Sequence, residues 1–270
     1  MWSWWRKGER KVRIDFSTPM TFYELLAIVL AAIAIIIPIG QAAYKKFFIR
    51  PKLCFFPTGR ALLFFNQSGS YIRIDGVYEA ENKPITIRKI LVKVTRQKDE
   101  SRINLTWSSF ISPVNQNMVG NYLQTTESAH PFRIEADSVT CAFTEFGDMF
   151  DSFGKAFKSA TDELFNKICE IRYAYQDYQS AVAAYKKCPE YENANKLLCK
   201  EFFWEIGKYD IDIEVSYGKA NKHFCYTFSV GEHENRVLAE NIDESLLSPL
   251  KHAYGVSLNY CPVFVELQMK

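Results

Sequence analysis

The 270-residue chain lacks the usual marks of a catalyst. It has no GxGxxG or GxxxxGK[ST] loop, no GxSxG elbow and no HExxH helix. The common routes to dinucleotide binding, phosphate cradling, serine hydrolysis and zinc proteolysis therefore leave no signature. Histidines are few: only His130, His223, His233 and His252, far apart in sequence. No internal repeat and no low-complexity linker breaks the chain. Excess charge is missing too. Of 33 Lys+Arg and 31 Asp+Glu, the first 24 residues hold five bases and three acids, leaving 28 of each in the rest. A neutral body without a basic stripe speaks against nucleic acid as a partner. The seven cysteines, at 54, 141, 169, 188, 199, 225 and 261, are odd in number and show no paired or metal-type spacing, so no metal and no cofactor is expected.

One long uncharged run is present, Leu25 to Tyr44, with a core of Leu, Ala, Ile and Val only from Leu26 to Ile37. About twenty residues suffice for a helix to cross a roughly 30 Å hydrocarbon layer. Leu25, Leu26, Ile28, Val29, Leu30, Ile33, Ile35, Ile36 and Ile37 are its candidate lipid contacts. Thr21 and Glu24 stand in capping-box spacing and mark the start, and Pro38 is expected to kink the far end. Ahead of it, Trp2, Trp4, Trp5, Arg6, Lys7, Arg10 and Lys11 suit a headgroup layer. The expectation is a single-pass cell (inner) membrane protein with lipid as a partner: a surface segment at 1–20, a transmembrane helix at 21–46 and a soluble body at 47–270. A cleaved signal peptide is the rival reading, since Gly40-Gln41-Ala42 precedes Ala43 in a small-x-small pattern.

The side of the membrane is read from two opposing signals. Five cations before the helix, against Lys45, Lys46, Arg50 and Lys52 after it, slightly favour export of the body. The two triplets Asn66-Gln67-Ser68 and Asn104-Leu105-Thr106 point the same way. The unpaired cysteine set favours the cytoplasm, and the body is placed there.

Within the body, 53–107 reads as short strands, with stops at Pro57-Thr58-Gly59 and Asn66 to Gly69. Ile85, Ile87, Ile90, Val92 and Val94 alternate with a one-residue slip near Lys89, as at a β-bulge. Residues 108–128 read as a long loop. From Phe146 to Tyr185 apolar residues recur at three and four, which predicts helices, followed by another at Glu192 to Phe203. Strands return at Tyr209 to Val215 and Phe224 to Phe228, and a short helix is expected at Asn241 to Lys251. A last strand follows around Val263 to Leu267.

The fold class is thus mainly β with α: an antiparallel β-sandwich carrying a helical insertion at about 146–203. Gly207-Lys208-Tyr209 and the alternation behind it are similar to the late strand of immunoglobulin-like domains, a resemblance spanning some ten residues. It implies that the strands on both sides of the insertion belong to one sandwich.

The remaining clusters each have a plain reading beside a chemical one. Phe146, Phe150, Phe153 and Phe157 form an aromatic stripe, read as core packing or as a docking face for a partner. His223 and Cys225 share a strand face, and Asp210, Asp212 and Glu214 form an acidic row, which suits a solvated face. Asp148 and Asp151 suit a helix N-terminus, and His233 reads as an exposed turn. The expected function is a non-catalytic, membrane-anchored protein that binds a protein partner or a second copy of itself. It would act as a sensor, scaffold or adaptor of the kind used in bacterial stress or phage defence. The alternatives are a membrane-disrupting oligomer and an enzyme of unrecognised type.

Overall fold

The computed structural model describes residues 21–111, 115–116, 122–123, 126–148 and 152–270. The chain divides into two compact units at Arg50 and Pro51. The first contributes helix α1 (Phe22–Phe47).

The second unit is mainly antiparallel sheet with helices. Its strands are β1 (Lys52–Asn66), β2 (Gly69–Glu81), β3 (Ile85–Arg96), β4 (Arg102–Ile111), β5 (Asn115–Gln116), β6 (Tyr122–Leu123), β7 (Thr126–Ser128), β8 (Phe132–Ile134) and β9 (Ser138–Gly147). Helices α2 (Ser152–Ala174), α3 (Tyr178–Tyr185) and α4 (Pro189–Glu201) follow, then β10 (Gly207–Tyr217), β11 (Ala220–Val230), α5 (Glu232–Ala253), β12 (Val263–Glu266) and β13 (Gln268–Met269).

Eleven strands form one sheet in the order β12-β1-β2-β9-β4-β3-β10-β11-β13, with β7 on β4 and β8 on β3; β5 and β6 pair separately. Its two outermost strands, β12 and β13, are separated by Leu267 alone. The C-terminal segment therefore touches both edges, with Val263–Glu266 on β1 and Gln268–Met269 on β11. The result is a nearly barrel-shaped wall, where the sequence suggested an immunoglobulin-like sandwich of two sheets. Three register shifts, at Pro57/Ala61, Trp107/Ser109 and Ser216/Tyr217, add the local twist that lets a sheet curl.

The shift in β1 corrects one expectation. Pro57-Thr58-Gly59 does not stop the strand but bends it, with Gly59 in the left-handed region at φ +83°. Gly76 lies opposite Pro57, and a side chain there would meet the Phe55 ring at 2.5 Å. By contrast, the slip expected near Lys89 is seen: Ser216 pairs with Lys89 and Tyr217 with Ile87, so Arg88 bulges out.

Alternate residues of the wall fill one core. Leu63, Phe65, Ile72, Ile74, Val92, Val94, Ile211 and Ile213 are buried, and the cluster runs on through Leu164, Tyr185, Leu198, Leu238, Leu246 and Leu250 of the helices. The helices lie between β9 and β10, narrower than the insertion expected at 146–203, because Phe146 ends a strand. Helix α5 begins nine residues before the expected Asn241. Its start is set by the Gly231 N–H donating to Glu234 Oε2 at 3.0 Å, so His233 stands in a first turn of helix rather than in a turn. At the other helix starts, Asp177 accepts from Ser180 N at 2.8 Å and Asp148 from Phe153 N at 3.4 Å, as the spacing of Asp148 suggests. Asp151 lies outside the described residues.

Candidate functional site

The apolar helix α1 starts at the capping box read from the sequence: Thr21 N–H donates to Glu24 Oε2 at 2.8 Å and Glu24 N–H to Thr21 Oγ1 at 3.3 Å. It continues through Pro38 to Phe47. Phe22–Lys45 is long and apolar enough to cross a membrane, and none of it is buried. Aromatics stand at both ends, Phe22 and Tyr23 at one, Tyr44, Phe47 and Phe48 at the other. At 1.5 Å per residue, Tyr23 and Tyr44 stand about 32 Å apart, close to the thickness of a hydrocarbon layer. All nine aliphatic residues from Leu25 to Ile37 named above are exposed on it. Trp2, Trp4, Trp5, Arg6, Lys7, Arg10 and Lys11 lie outside the described residues.

The aromatic stripe is largely core. Phe146 is 1% exposed and Phe157 6%, so neither presents a contact surface. Phe146 closes β9 opposite Ile72 and Trp107. Phe153 is half-buried, its ring 5.5 Å from that of Phe65. Phe150 lies outside the described residues. Helical periodicity alone does not separate a packed stripe from a docking face; the barrel end beneath it decides.

On the outer face of β10 and β11 the acidic row meets His223 and Cys225. His223 Nδ1 lies 2.9 Å from Asp212 Oδ1, and Cys225 Sγ 4.0 Å from the same oxygen. The carboxylate thus sits between ring and thiol, whereas an activated thiol needs the imidazole between thiol and carboxylate. The other acids are met as well: Asp210 by Gln97 at 2.9 Å and Lys270 at 3.1 Å, and Glu214 by Asn221 at 2.6 Å. This is a solvated face whose three acids are each hydrogen-bonded to a neighbouring side chain.

A second cluster was missed in the sequence, because it depends on cross-strand register. Cys54 faces Glu79, and Lys52 faces Glu81, across β1 and β2. The ligand atoms of Cys54, Glu79 and Glu81 lie within 4.8 Å of one another, the one such group of three among the described residues. Lys52 Nζ holds Glu81 at 2.6 Å. Burial, then the Glu81 carboxylate, push the Cys54 thiol up, so it stays protonated and donates to Glu81 at 3.4 Å. Glu81 is thus bonded by both Lys52 and Cys54.

The body also carries a groove of about 800 Å³, within the size range of ligand sites. It arises where β9 ends. Gly147 pairs with Thr106, and upstream of Thr106 the residues Arg102 to Leu105 pair only with β3 among the described residues. Among the described residues no strand stands between this edge and the β1–β2 hairpin end at Gly69 and Ser70. Across the opening runs the segment leaving α4, Lys200 to Glu205. Ile103, Leu105, Phe153, Phe202 and Phe203 give the groove an apolar floor; Ser70, Lys89, Asn104, Thr106 and Lys200 line its rim.

Arg96 fixes the geometry of this opening. Its side chain is 10% exposed, and its guanidinium binds Asp99 through Nε at 3.0 Å and Nη2 at 2.7 Å, and Glu205 through Nη1 at 2.9 Å. It also lies over the Phe203 ring, 5.7 Å from the centroid. The fork ties the β3–β4 hairpin to the exit of the helices, and the hydrogen bonds from Arg96 hold the Asp99 carboxyl well below the usual carboxylate range. Tyr209 Oη donates toward the Phe203 and Glu205 carbonyls at 3.0 and 2.7 Å, fixing the same segment.

No protein-family model matches the chain, and no curated protein does. Among solved structures it is similar to a family 123 glycoside hydrolase from Clostridium perfringens, studied for glycolipid glycan hydrolysis, at 9% identity and a TM-score of 0.30. The match covers 67% of this chain and 27% of that one, so the chain spans about a quarter of the hydrolase's length. That likeness carries no assignment of fold or activity.

Proposed function

We propose that the chain is a single-pass, membrane-anchored, non-catalytic β-rich module that binds a protein partner, as a sensor, scaffold or adaptor in a membrane complex. One observation carries this reading. Phe22–Lys45 is apolar on every side and wholly unburied, with aromatic residues at both ends spaced for the two faces of a bilayer. A helix hydrophobic all round needs lipid or protein about it, and a spanning segment answers the length better than a cleaved signal, whose apolar region is shorter.

For the body we infer the cytoplasmic side of the cell (inner) membrane. All seven cysteines are free and four of them, Cys141, Cys169, Cys199 and Cys225, are exposed, a state that suits a reducing compartment. The groove at the open end of the barrel wall is the candidate contact surface, in place of the aromatic stripe.

Alkaline carbonate extraction followed by protease treatment of inverted vesicles tests the anchor and the side together. The chain is expected to stay with the membrane pellet, and its body to be digested in inverted vesicles but protected in spheroplasts. Release into the supernatant, or mature protein beginning at Ala43, overturns the reading.

A further inference from the structure

We propose that the outer face of β1, β2 and β9 around Phe56 is a lipid contact, which lies on the anionic surface of the bilayer that holds the chain. This rests on the anchored reading above and adds to it the surface by which the body meets the membrane.

Strand register builds this face. Phe56 stands opposite Val77, and Val77 opposite Cys141. In the next row Cys54 stands opposite Glu79, and Glu79 opposite Val139. Residues two apart on a strand share a face, so the two rows lie side by side. The residues between them, Leu53, Phe55, Tyr78 and Ala142, are buried in the core, which turns both rows outward. Phe56 is 56% exposed and Val139 62%, and Cys141 is exposed as well.

The outer face of β10 and β11 shows what the same wall carries where water covers it. Asp210, Asp212 and Glu214 stand there at alternate positions, each bonded to a polar neighbour. At Phe56, Val77 and Val139 the same geometry carries apolar groups, with Glu79 as the one acid among them. A lone exposed apolar residue is ordinary, but adjoining ones on three neighbouring strands mark a surface that something covers.

Covalent reach selects lipid as the cover. Lys52, the first residue of β1, follows Phe47, the last of α1, by five positions, and five residues extend to at most about 18 Å. Phe56 is four residues further along the strand, about 13 Å. The start of β1 therefore never leaves the neighbourhood of the bilayer, and a tether this short keeps the lipid surface at a high effective concentration. Charge agrees with reach. Between Glu24 and Asp75 the sequence holds no acid and six cations, at Lys45, Lys46, Arg50, Lys52, Arg60 and Arg73. Arg50 and Lys52 lead into the face and are exposed. Lys52 is shared with Glu81, so Arg50 and the two lysines before it supply most of the attraction. Anionic headgroups of a cytoplasmic leaflet draw in such juxtamembrane cations. Phe56, Val77 and Val139 then enter the boundary between headgroups and acyl chains, as the apolar side of an interfacial segment does.

The test uses the full-length protein in nanodiscs of phosphatidylcholine, with or without phosphatidylserine. A trace of the lipid carries a diazirine near its headgroup, and carbene adducts are located by peptide mass spectrometry. With phosphatidylserine present, the peptides bearing Phe56 and Val139 are expected to carry several times more adduct than the peptide bearing Tyr173, which is 97% exposed on α2. Leaving phosphatidylserine out is expected to lower adducts on this face about fivefold, the loss of one cation's attraction to the surface. Replacing Phe56→Ser and Val139→Ser together, both at exposed positions, is expected to remove the adducts at Cys54, Val77 and Cys141 while amide exchange in β10 stays as it was. Adducts on the face no higher than on Tyr173, or equal with and without phosphatidylserine, overturn the proposal. The anchored reading fails separately. Adducts on residues 25–37 of α1 with none on the face sink the lipid contact alone. Absence of adducts from residues 25–37, in a chain that no longer sediments with membranes, sinks the tether.

Discussion

The barrel wall is interrupted in two places, and the two are handled differently. Between β1 and β11 the C-terminal segment bridges the interruption, with Val263 and Val265 buried. Between β4 and the β1–β2 hairpin no strand bridges it among the described residues, and the segment leaving α4 crosses it over a groove. The difference does not lie in the length of ladder available. The bridging segment has only four register pairs with β1 and two with β11. What holds it is α5. Asn241, 1% exposed, donates through Nδ2 to Cys261 O and accepts from Cys261 N–H, both at 2.9 Å, as a strand neighbour would. Glu244 accepts from Asn259 N–H at 2.6 Å and from Lys251 Nζ at 2.6 Å. A short strand closes a wall when side chains of a packed helix fix it in place. At the groove Arg96 instead ties the β3–β4 hairpin to the segment leaving α4.

The largest effect is expected where both interruptions share a support. Trp204 is fully buried, its ring against Phe203, Tyr209 and Phe228, and Asn235 Nδ2 of α5 donates to its carbonyl at 2.9 Å. Trp204→Ala is expected to cost about 3–5 kcal/mol, read by denaturant unfolding of the detergent-solubilised full chain, with faster exchange at both places. Exchange that rises at the groove alone would mean that the two are independent. Asn241→Ala comes next. It leaves the Cys261 N–H and C=O without their partner, for about 1–3 kcal/mol. Exchange should rise in Val263 to Met269 and in Tyr226 and Thr227, while the β3–β4 hairpin keeps its protection.

Acid should separate the two places in the opposite sense. The folded chain holds Asp99 below its ordinary value, so the unfolded chain takes up the proton first. The stability from the Arg96 fork is complete above the unfolded Asp value, about 3.9, and is lost as pH falls below it toward the depressed value. The Asn241 ties carry no charge and do not titrate. Between about pH 5 and pH 3, exchange in 96–101 and 202–205 is expected to quicken ahead of exchange in 261–266. Asp99→Asn should reduce that difference, since it removes the depressed carboxyl and leaves only Glu205 on the fork. A parallel rise in both places in the unsubstituted chain would contradict it.

Much of this wall was legible locally, because period-two alternation survives in single strands: the Lys89 slip and the β10 alternation are both where the residues put them. Other features were not. Pro57-Thr58-Gly59 carries a turn composition, yet a bulge uses the same residues, and only the partner Gly76 decides between them. Phe146 fits a helical stripe and a strand end equally well. Helix α5 opens with Glu232-His233-Glu234-Asn235-Arg236, which gives no apolar period until Val237 and Leu238, so its start reads late. The barrel closure and the groove were out of reach, since both depend on which distant strands pair and where β9 stops. The apolar helix was the easiest to read: its signal is composition over twenty residues and needs no partner.

The smallest expected effect tests whether the bridging segment is held by α5 alone. Its last ion pair, Lys270 Nζ to Asp210 at 3.1 Å, lies with the lysine 57% and the aspartate 29% exposed. Asp210 keeps the Gln97 amide at 2.9 Å without it, and water can solvate the remaining charge. Lys270→Ala should therefore cost no more than about 0.2–1 kcal/mol and leave exchange at Val263 to Glu266 unchanged, against the marked rise expected for Asn241→Ala. If the two substitutions open Val263 to Glu266 equally, the segment is secured from its end as much as from the helix.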